Sequence, residues 1–516
     1  MALYNALHFD GEYPLKSEIE QTEAIETVAV GEAAPEQGSR FSDLARDVAT
    51  MSGGTALAAV FNTLLVFLIP RLVTVEDFGY WRVFLLYAGY AGFLHLGFAD
   101  GALLRWAGRP LEYFRHEVGP SMKFLFWQHV AFIVPACLIV ALLLPSPLNS
   151  IGVAILVFAL IMNLAAVLQC GLQGARQFKP VALATAAPAG VFVLLAFLWH
   201  LRVVPSFRGL IVLYCASWAG ALIYLWVRVR PLQGAYSSES TWSLGKTCIL
   251  LGWPIVLANG GLGLMQSADR VVVSSALPIY DFAQYSLASS MMFVPVTAIA
   301  AVYRVFFSHV AAVEHEGRAR VYGHASKFLL LAWSLLLPYF FVLEVFVRRF
   351  LPKYLAALPI AGILLLGVFF LAGIQILHMS FAYLYGRQRH FLFLTLGALV
   401  VSFSVALVTA SWLRSLVAVA MGQVATLAVW WLLNEWNLRE TSGQRWKNWL
   451  KILSVIGWSA VSYGLAFWLT LGAAWRIPMY YTLVVPVLWF SCSEELSFGW
   501  RLIRANADNL RGAGNF

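Results

Sequence analysis

Apolar stretches of about 17 to 25 residues recur along almost the whole chain, and each is long enough to cross the hydrocarbon core of a membrane. Lipid offers the backbone no hydrogen-bond partner, so segments that cross it as single stretches are predicted to be helices. We predict fourteen such spans, at residues 53–70, 83–104, 121–144, 150–172, 181–201, 208–227, 248–268, 283–307, 325–347, 355–380, 391–412, 414–433, 449–472 and 478–492.

Composition supports an all-α membrane protein. Of the 516 residues, 60% are hydrophobic and 12% are charged, whereas soluble domains contain about 45–50% apolar and 25% charged residues. Most connections between the predicted spans are too short to fold into a soluble domain. We therefore expect the protein to act within the membrane.

The basic residues predict the orientation of the spans. With the N-terminus in the cytoplasm, 25 of the 35 Lys and Arg residues fall in cytoplasmic segments, as the positive-inside rule requires. Both termini are thus predicted to be cytoplasmic. Although the net charge is +9, the basic residues are dispersed over many loops, so anionic lipid headgroups are expected partners and nucleic acid is not.

The first forty residues differ from the rest because they contain eight carboxylates. We predict a disordered acidic cytoplasmic tail at 1–40, with an amphipathic lead-in to the first span at 41–51. The five cysteines form no CxxC pair and therefore give no information about redox state or metal binding. No metal site and no cofactor are predicted.

A short motif occurs twice. Residues 76–81 follow the first predicted span and residues 280–285 follow the seventh, and both contain Asp-Phe, a small residue, any residue and then an aromatic residue. Sliding the chain by 199 residues also superposes Arg71 on Arg270. Repeated halves are the usual plan of secondary transporters, with the substrate site between them.

These segments resemble a known family of transporters. The runs Ile69–Leu72, Glu76–Tyr80 and Leu96–Arg105, together with Ser267–Arg270 and Tyr280–Ser286, are similar to the polysaccharide transporter family. That family forms the oligosaccharide-flippase branch of the multidrug/oligosaccharidyl-lipid/polysaccharide (MOP) exporter superfamily. The resemblance covers roughly residues 41–435. Relatives often have a proline near the end of the eighth span, where this chain reads Phe306-Phe307-Ser308.

The resemblance implies two pseudo-symmetric six-helix lobes around a cavity that opens alternately to the two sides. The implied boundaries are an N-terminal lobe at 41–230, a cytoplasmic linker at 231–247, a C-terminal lobe at 248–434, and an additional span pair with a tail at 435–516. The implied function is a flippase that moves an undecaprenyl-diphosphate-linked oligosaccharide across the bacterial inner membrane. A polysaccharide polymerase and export machinery are implied partners.

An anionic diphosphate that leaves water needs arginines to hold it by charge-assisted hydrogen bonds. The candidates in or near the relevant spans are Arg71, Arg82, Arg270 and Arg304. Arginines at helix ends also commonly extend to the membrane interface, so Arg71, Arg82 and Arg304 have an anchoring role as the alternative. For Arg270 the alternative is an ion pair with Asp269.

Two carboxylates are predicted to lie in or near the hydrocarbon region of the membrane. Asp100 and Asp269 could carry a coupling proton or sodium ion. Each also has an arginine nearby in the sequence, Arg105 and Arg270, so structural pairing is the competing interpretation.

Two other functions use similar substrates or the same fold. A membrane polymerase, ligase or glycosyltransferase would also bind lipid-linked sugars, but the sequence contains no DxD, DDxxD, GxSxG, HExxH or P-loop motif, and we expect no enzyme. A drug exporter of the same superfamily would carry a small cation. A basic cavity favours a phosphate-bearing lipid, and an acidic cavity favours organic cations.

Overall fold

The computed structural model describes residues 37–200, 206–230, 241–292, 295–296, 315–442, 446–469 and 472–493. These parts of the chain are helical and contain no strand. The acidic tail up to residue 36 lies outside the described residues. So do positions 306–308, where relatives often have a proline, and most of the predicted eighth span.

The helices are α1 (Gln37–Leu72), α2 (Val75–Ala88), α3 (Phe98–Trp106), α4 (Leu111–Leu143), α5 (Leu148–Gly174), α6 (Phe178–His200), α7 (Phe207–Val229), α8 (Thr241–Met265), α9 (Ala268–Ala276), α10 (Ile279–Met291), α11 (His315–Leu336), α12 (Tyr339–Phe350), α13 (Ala357–Ala372), α14 (Met379–Leu384), α15 (Gln388–Ser411), α16 (Leu416–Ser442), α17 (Trp446–Trp468) and α18 (Ala473–Ser491). Short 3₁₀ turns span Ala91–His95 and Pro352–Tyr354. A π-helical segment, Gly373–His378, joins α13 to α14.

The all-helical membrane fold predicted from the sequence is confirmed. Within the described residues, eleven helical segments are long and apolar enough to cross a membrane, or twelve if a bent pair counts as one span. Each corresponds to a predicted span. The exact count of fourteen is not confirmed, since the eighth span is mostly undescribed and α18, the predicted fourteenth, is not among these segments.

The described helices pack mainly within two halves. In the first half, residues 37–230, α1 packs on α6, α5 on α4 and α7, and α3 on α5. In the second half, residues 241–442, α16 packs on α13 and α15, and α9 packs on α15. Contacts between the halves are made chiefly by α2 with α10 and by α3 with α8. The predicted domain boundaries stay a prediction.

The C-terminal helices α17 and α18 pack on each other and dock on the second half through α11 and α12. On α12, the Glu344 carboxylate receives a hydrogen bond of 2.8 Å from Arg476 of α18 and one of 3.0 Å from Arg348. The Tyr480 hydroxyl donates to the carbonyl oxygen of Ser334 on α11. These bonds hold the additional helix pair against the second half.

The repeated motif starts a helix in each half. Thr74 is the N-cap of α2, where its hydroxyl accepts a hydrogen bond from the Asp77 backbone N–H. The same Asp77 carboxylate accepts the backbone N–H of Phe207 at the start of α7. In the second copy α10 begins at Ile279, so superposing the two motifs also superposes the two helix starts. Asp77 and Asp281 therefore occupy equivalent turns of equivalent helices.

Replacing Asp77 by alanine should lower the stability of the folded protein. The substitution removes acceptors at the first turns of both α2 and α7, and the loss of such a cap costs about 1 kcal/mol. Thermal unfolding of the purified protein measures the effect, and Glu76→Ala, at the exposed neighbouring position, is the matched control. Equal melting of the two variants would contradict the capping role.

Candidate substrate cavity between the two halves

The second span is broken in the middle of the bundle. After α2 and the 3₁₀ turn, Leu96 and Gly97 have φ angles of 52° and 88°, and α3 continues at 56° to the preceding segment. Glycine fits position 97 because it adopts positive φ without a steric cost. The break lies between the two ends of the helix bundle. We call them the Leu72 end, where α1 ends, and the Trp106 end, where α3 ends.

Side chains of the first half satisfy the backbone at this break. The Asn163 amide donates to the Ala91 carbonyl oxygen at 2.9 Å, and the Gln128 amide donates to the Leu94 carbonyl oxygen at 3.2 Å. The Gly97 N–H donates to Nδ1 of His95 at 3.0 Å. Irregular backbone at membrane depth is tolerated where protein groups or a cavity supply such partners.

A second helix break directly follows the seventh span, Thr241–Met265. Helix α8 ends at Met265 and α9 begins at Ala268, with Ser267 as its N-cap residue. The Ser267 hydroxyl donates back to the Gly263 carbonyl oxygen at 2.7 Å, and a guanidinium nitrogen of Arg270 donates to the Gln266 carbonyl oxygen at 3.2 Å. The break thus fixes the direction of the Arg270 side chain.

A cavity of about 420 Å³ lies between the two breaks. The first half lines it with α2, the 3₁₀ turn and the start of α3, and the second half lines it with α8 and α9. The lining residues are Leu85, Leu86, Gly89, Tyr90, Gly92, Phe93, His95, Asp100, Val256, Gly260, Gly263, Ser267 and Arg270. Besides Tyr90, three of these carry ionisable side chains: Arg270, Asp100 and His95.

Polar side chains join the halves on the Leu72 side of the cavity. Nε of Arg82 donates to the Ser286 hydroxyl at 2.7 Å, and the hydroxyls of Tyr87 and Ser274 lie 3.1 Å apart. The Tyr90 hydroxyl bonds to that of Ser267. We call these three pairs the polar contact.

Repeat-equivalent residues meet within the polar contact. The alignment that pairs the start of α2, Val75, with the start of α10, Ile279, also pairs Arg82 with Ser286. Under the predicted repeat, a residue that touches its own counterpart is expected to lie at the axis relating the two halves.

Glycines join the halves at the Trp106 end. A Cβ atom on Gly101 would overlap the carbonyl oxygen of Cys248, and one on Gly252 would overlap that of Gly97. The side chains that could separate α3 from α8 are thus missing on both helices. Gly97, Gly101 and Gly252 form what we call the glycine contact, and the halves touch on both sides of the cavity.

The four predicted arginines do not lie together. Arg270 lines the cavity, and Arg82, one turn from Leu86 towards the Leu72 end, is close enough for the two guanidinium groups to repel each other. Arg71 is exposed at the end of α1, with its guanidinium 5.8 Å from the centre of the Phe350 ring. Arg304 lies outside the described residues.

The predicted equivalence of Arg71 and Arg270 is wrong. The pairing of the helix starts matches Arg71 with Ser275, whereas a pairing of Arg71 with Arg270 would displace α10 by more than one helical turn. Arg71 ends an unbroken helix, while Arg270 follows a break. The two arginines therefore occupy unrelated positions.

The two predicted carboxylates have different surroundings. Asp100 lines the cavity, and its expected partner Arg105 instead forms a bidentate pair with Glu117 at 2.9 and 3.0 Å. Asp269 is buried and accepts hydrogen bonds from the Tyr285 hydroxyl at 2.6 Å and from the Arg270 backbone N–H at 2.8 Å.

Sequence reasoning did not identify several parts of this site. Glu117 is buried and also accepts a bond from the Trp106 indole, but only the fold shows that it faces Arg105. The glycines of α8 could have been used as a signal, because closely spaced small residues such as Gly260, Gly261 and Gly263 are typical of contacts between membrane helices.

No family model and no curated protein matches the sequence. Solved structures do match the fold. The lipid II flippase MurJ in an inward closed conformation has a TM-score of 0.64 at 13% identity, covering 89% of this chain and 99% of that one. The inward-facing conformation of a multidrug resistance MATE family transporter has a TM-score of 0.59 at 13% identity, covering 76% and 96%.

This chain has the fold of MOP-superfamily transporters. A further MOP-superfamily transporter, from Pyrococcus furiosus, has a TM-score of 0.50 at 14% identity and covers 77% of this chain and 96% of its own.

Proposed function

We propose that the chain is a flippase that carries an undecaprenyl-diphosphate-linked oligosaccharide across the bacterial inner membrane by alternating access, for export of a surface or extracellular polysaccharide. The observation that supports it best is the position of Arg270, whose side chain lines the cavity between the halves. Asp269 beside it accepts hydrogen bonds from Tyr285 and from the Arg270 backbone N–H, and among the described residues no salt bridge joins its carboxylate to the guanidinium, which leaves the donors of the guanidinium available to a ligand.

Arg82 provides a second reason to propose an anionic ligand. It contacts a serine rather than a carboxylate and adds a second positive charge near the first. Two like charges held close together in a cavity are unfavourable unless an anion joins them. A diphosphate supplies that anion, and planar guanidinium groups bind phosphate oxygens in pairs.

The cavity size limits which part of the substrate it would hold. Ligand cavities commonly measure about 300–1,000 Å³, and this one measures about 420 Å³. We propose that it holds the diphosphate and the adjoining sugar, while the lipid tail stays in the membrane. Tyr90 and Phe93 of the lining would provide aromatic faces for the sugar ring.

A drug exporter is the second candidate because Asp100 also lines the cavity. Among the described residues no salt bridge engages this carboxylate, and an organic cation would complement it. Asp100 and Asp269 also remain candidates for binding a coupling ion or for structural pairing. In the described part of the chain no group of three His, Cys, Asp or Glu could hold a metal ion.

Transport into proteoliposomes separates the two candidates. Reconstituted protein should flip a fluorescent lipid-linked oligosaccharide, and excess unlabelled undecaprenyl diphosphate should inhibit it, because both anions compete for Arg270. Vesicles without protein are the control. Transport of a cationic dye that undecaprenyl diphosphate does not inhibit would instead favour the drug exporter.

Placement in the inner membrane with cytoplasmic termini is part of the proposal. Its support is the charge asymmetry of the sequence. Labelling of single cysteines at positions 109 and 145, at opposite ends of α4, would test the orientation, and reaction at 109 from outside intact cells would reverse it. Membrane lipids are expected partners, and a polysaccharide polymerase with export machinery would act on the product.

A further inference from the structure

A buried cluster of ionisable side chains lies in the second half, among residues that do not line the cavity. His378 ends the π-helical segment and is 0% exposed, and Glu435 of α16 is 4% exposed. Nε2 of the histidine lies 3.4 Å from Oε1 of the glutamate. The Tyr322 hydroxyl of α11 donates to the same oxygen at 2.9 Å. Three separate helical segments therefore converge on one carboxylate.

The cluster is incompletely satisfied. Neither imidazole nitrogen of His378 makes a hydrogen bond within the described residues, and the indole N–H of Trp431, whose ring packs 5.9 Å from the imidazole, also lacks one. Buried polar groups normally have partners. A π-helical segment is likewise uncommon and frequent at functional sites.

We propose that Glu435, His378 and Tyr322 form a binding site for one proton that is coupled to transport. A carboxylate and an imidazole hold one exchangeable proton between them, so the pair alternates between zero net charge and one negative charge. Ionisable residues inside a membrane are costly and usually functional. The coupling, but not the proton binding, rests on the proposed transport function.

A metal cation fits this site poorly. Hard cations require several oxygen ligands, whereas the cluster offers one carboxylate, one phenol that already donates to it, and nitrogen groups. A proton needs only a single basic atom. The composition of the cluster thus favours a proton over a sodium ion.

Helix α16 connects the cluster to the cavity. Gln423 lies twelve residues before Glu435, about 18 Å along the helix. Its amide donates to the carbonyl oxygen of Met265, the last residue of α8, and its oxygen accepts a bond from Ser402. Met265 adjoins the break that positions Arg270. A movement of α16 on protonation would therefore be transmitted to the break between α8 and α9.

Other charged and titratable groups surround the cluster at a distance and are part of any pH response. Arg318 of α11 donates to the Leu384 carbonyl oxygen, Tyr385 interacts electrostatically with Tyr322, and Arg387 donates to the Asn437 carbonyl oxygen. Further along these helices are Arg439, which stacks on Trp436, and Lys327 and Lys451, which line the gap between α11 and α17.

Proton uptake by the purified full-length protein tests the site without any substrate. On a step from about pH 8 to about pH 5, Glu435→Gln should take up about one proton per chain fewer than wild type, since the substitution removes the carboxylate on which the proposed proton site is built. Glu344→Gln, at a buried carboxylate paired with two arginines, is the matched control and should resemble wild type. Equal uptake by Glu435→Gln and wild type would overturn the proposal.

Tyr322→Phe provides an independent test if Glu435→Gln folds poorly. Because the Tyr322 hydroxyl donates directly to the Glu435 carboxylate, its removal should change the pH midpoint of proton uptake relative to wild type. An unchanged midpoint would contradict the proposed site. In proteoliposomes, a pH gradient should accelerate flipping by wild type but not by Glu435→Gln, and equal acceleration would reject coupling while leaving the uptake result intact.

Discussion

Replacing Arg270 by alanine is expected to slow flipping of a lipid-linked oligosaccharide by about ten- to a hundredfold, because loss of a charge-assisted hydrogen bond costs about 1.5–3 kcal/mol. The guanidinium lines the cavity. Arg270→Lys should recover only part of the rate, since an ammonium group lacks the planar pair of donors that matches phosphate oxygens. The measurement is the initial flipping rate in proteoliposomes at equal reconstituted protein.

Two other arginines sharpen this test. Arg208→Ala is the control, because its exposed guanidinium stacks on Phe207 at the Leu72 end. Arg71→Ala distinguishes anchoring from binding, and from its exposed position we expect a rate close to wild type. If Arg270→Ala and Arg208→Ala transport equally well, Arg270 does not bind the headgroup, and Arg82 and Arg304 become the remaining candidates.

Replacing Gly101 by alanine is expected to keep the Trp106 end from closing and to reduce transport at least tenfold. The added Cβ would overlap the carbonyl oxygen of Cys248, and backbone atoms cannot rotate away. Overpacking of this kind costs about 1–3 kcal/mol, which shifts an equilibrium between closed and open forms about ten- to a hundredfold. Alternating access requires both forms, so a chain biased to one of them cycles slowly.

Cys248 itself reports on this contact. Its side chain is 0% exposed on α8, opposite Gly101. With the other four cysteines replaced by serine, a maleimide should label Cys248 faster in Gly101→Ala than in the parent protein. Gly261→Ala, on the same helix with no atom within 4 Å of the added Cβ, is the matched control. Identical labelling of the two variants would show that α3 and α8 do not separate there.

The sequence predicts the membrane helices well because their signal is local. Each described span needs only about twenty apolar residues, and composition reveals them directly. The same signal misses the breaks at Leu96–Gly97 and Gln266–Ser267, since hydropathy does not register where one helix ends and the next begins. It also misses the π-helical segment before His378, because such a segment depends on neighbouring helices rather than on its own residues.

The candidate site is only partly accessible to sequence reasoning. Arg270 and Asp100 were predicted and both line the cavity. Arg105 was paired with Asp100 by proximity in the sequence, but α4 brings Glu117 against it. Partners distant in sequence depend on which helix faces meet, and nearly uniform apolar helices give little indication of that. The buried cluster of His378 and Glu435 was likewise not recognised as a pair.

The contact of Arg82 with Ser286 has a consequence for how such a protein can arise by gene duplication. In a dimer of identical half-length chains, the residue at the axis would meet a copy of itself, and two arginines there would repel each other. Fusion of the halves into one chain lets the two positions diverge. The contact at the axis can then place one arginine opposite a hydroxyl, which an ancestral symmetric assembly could not achieve.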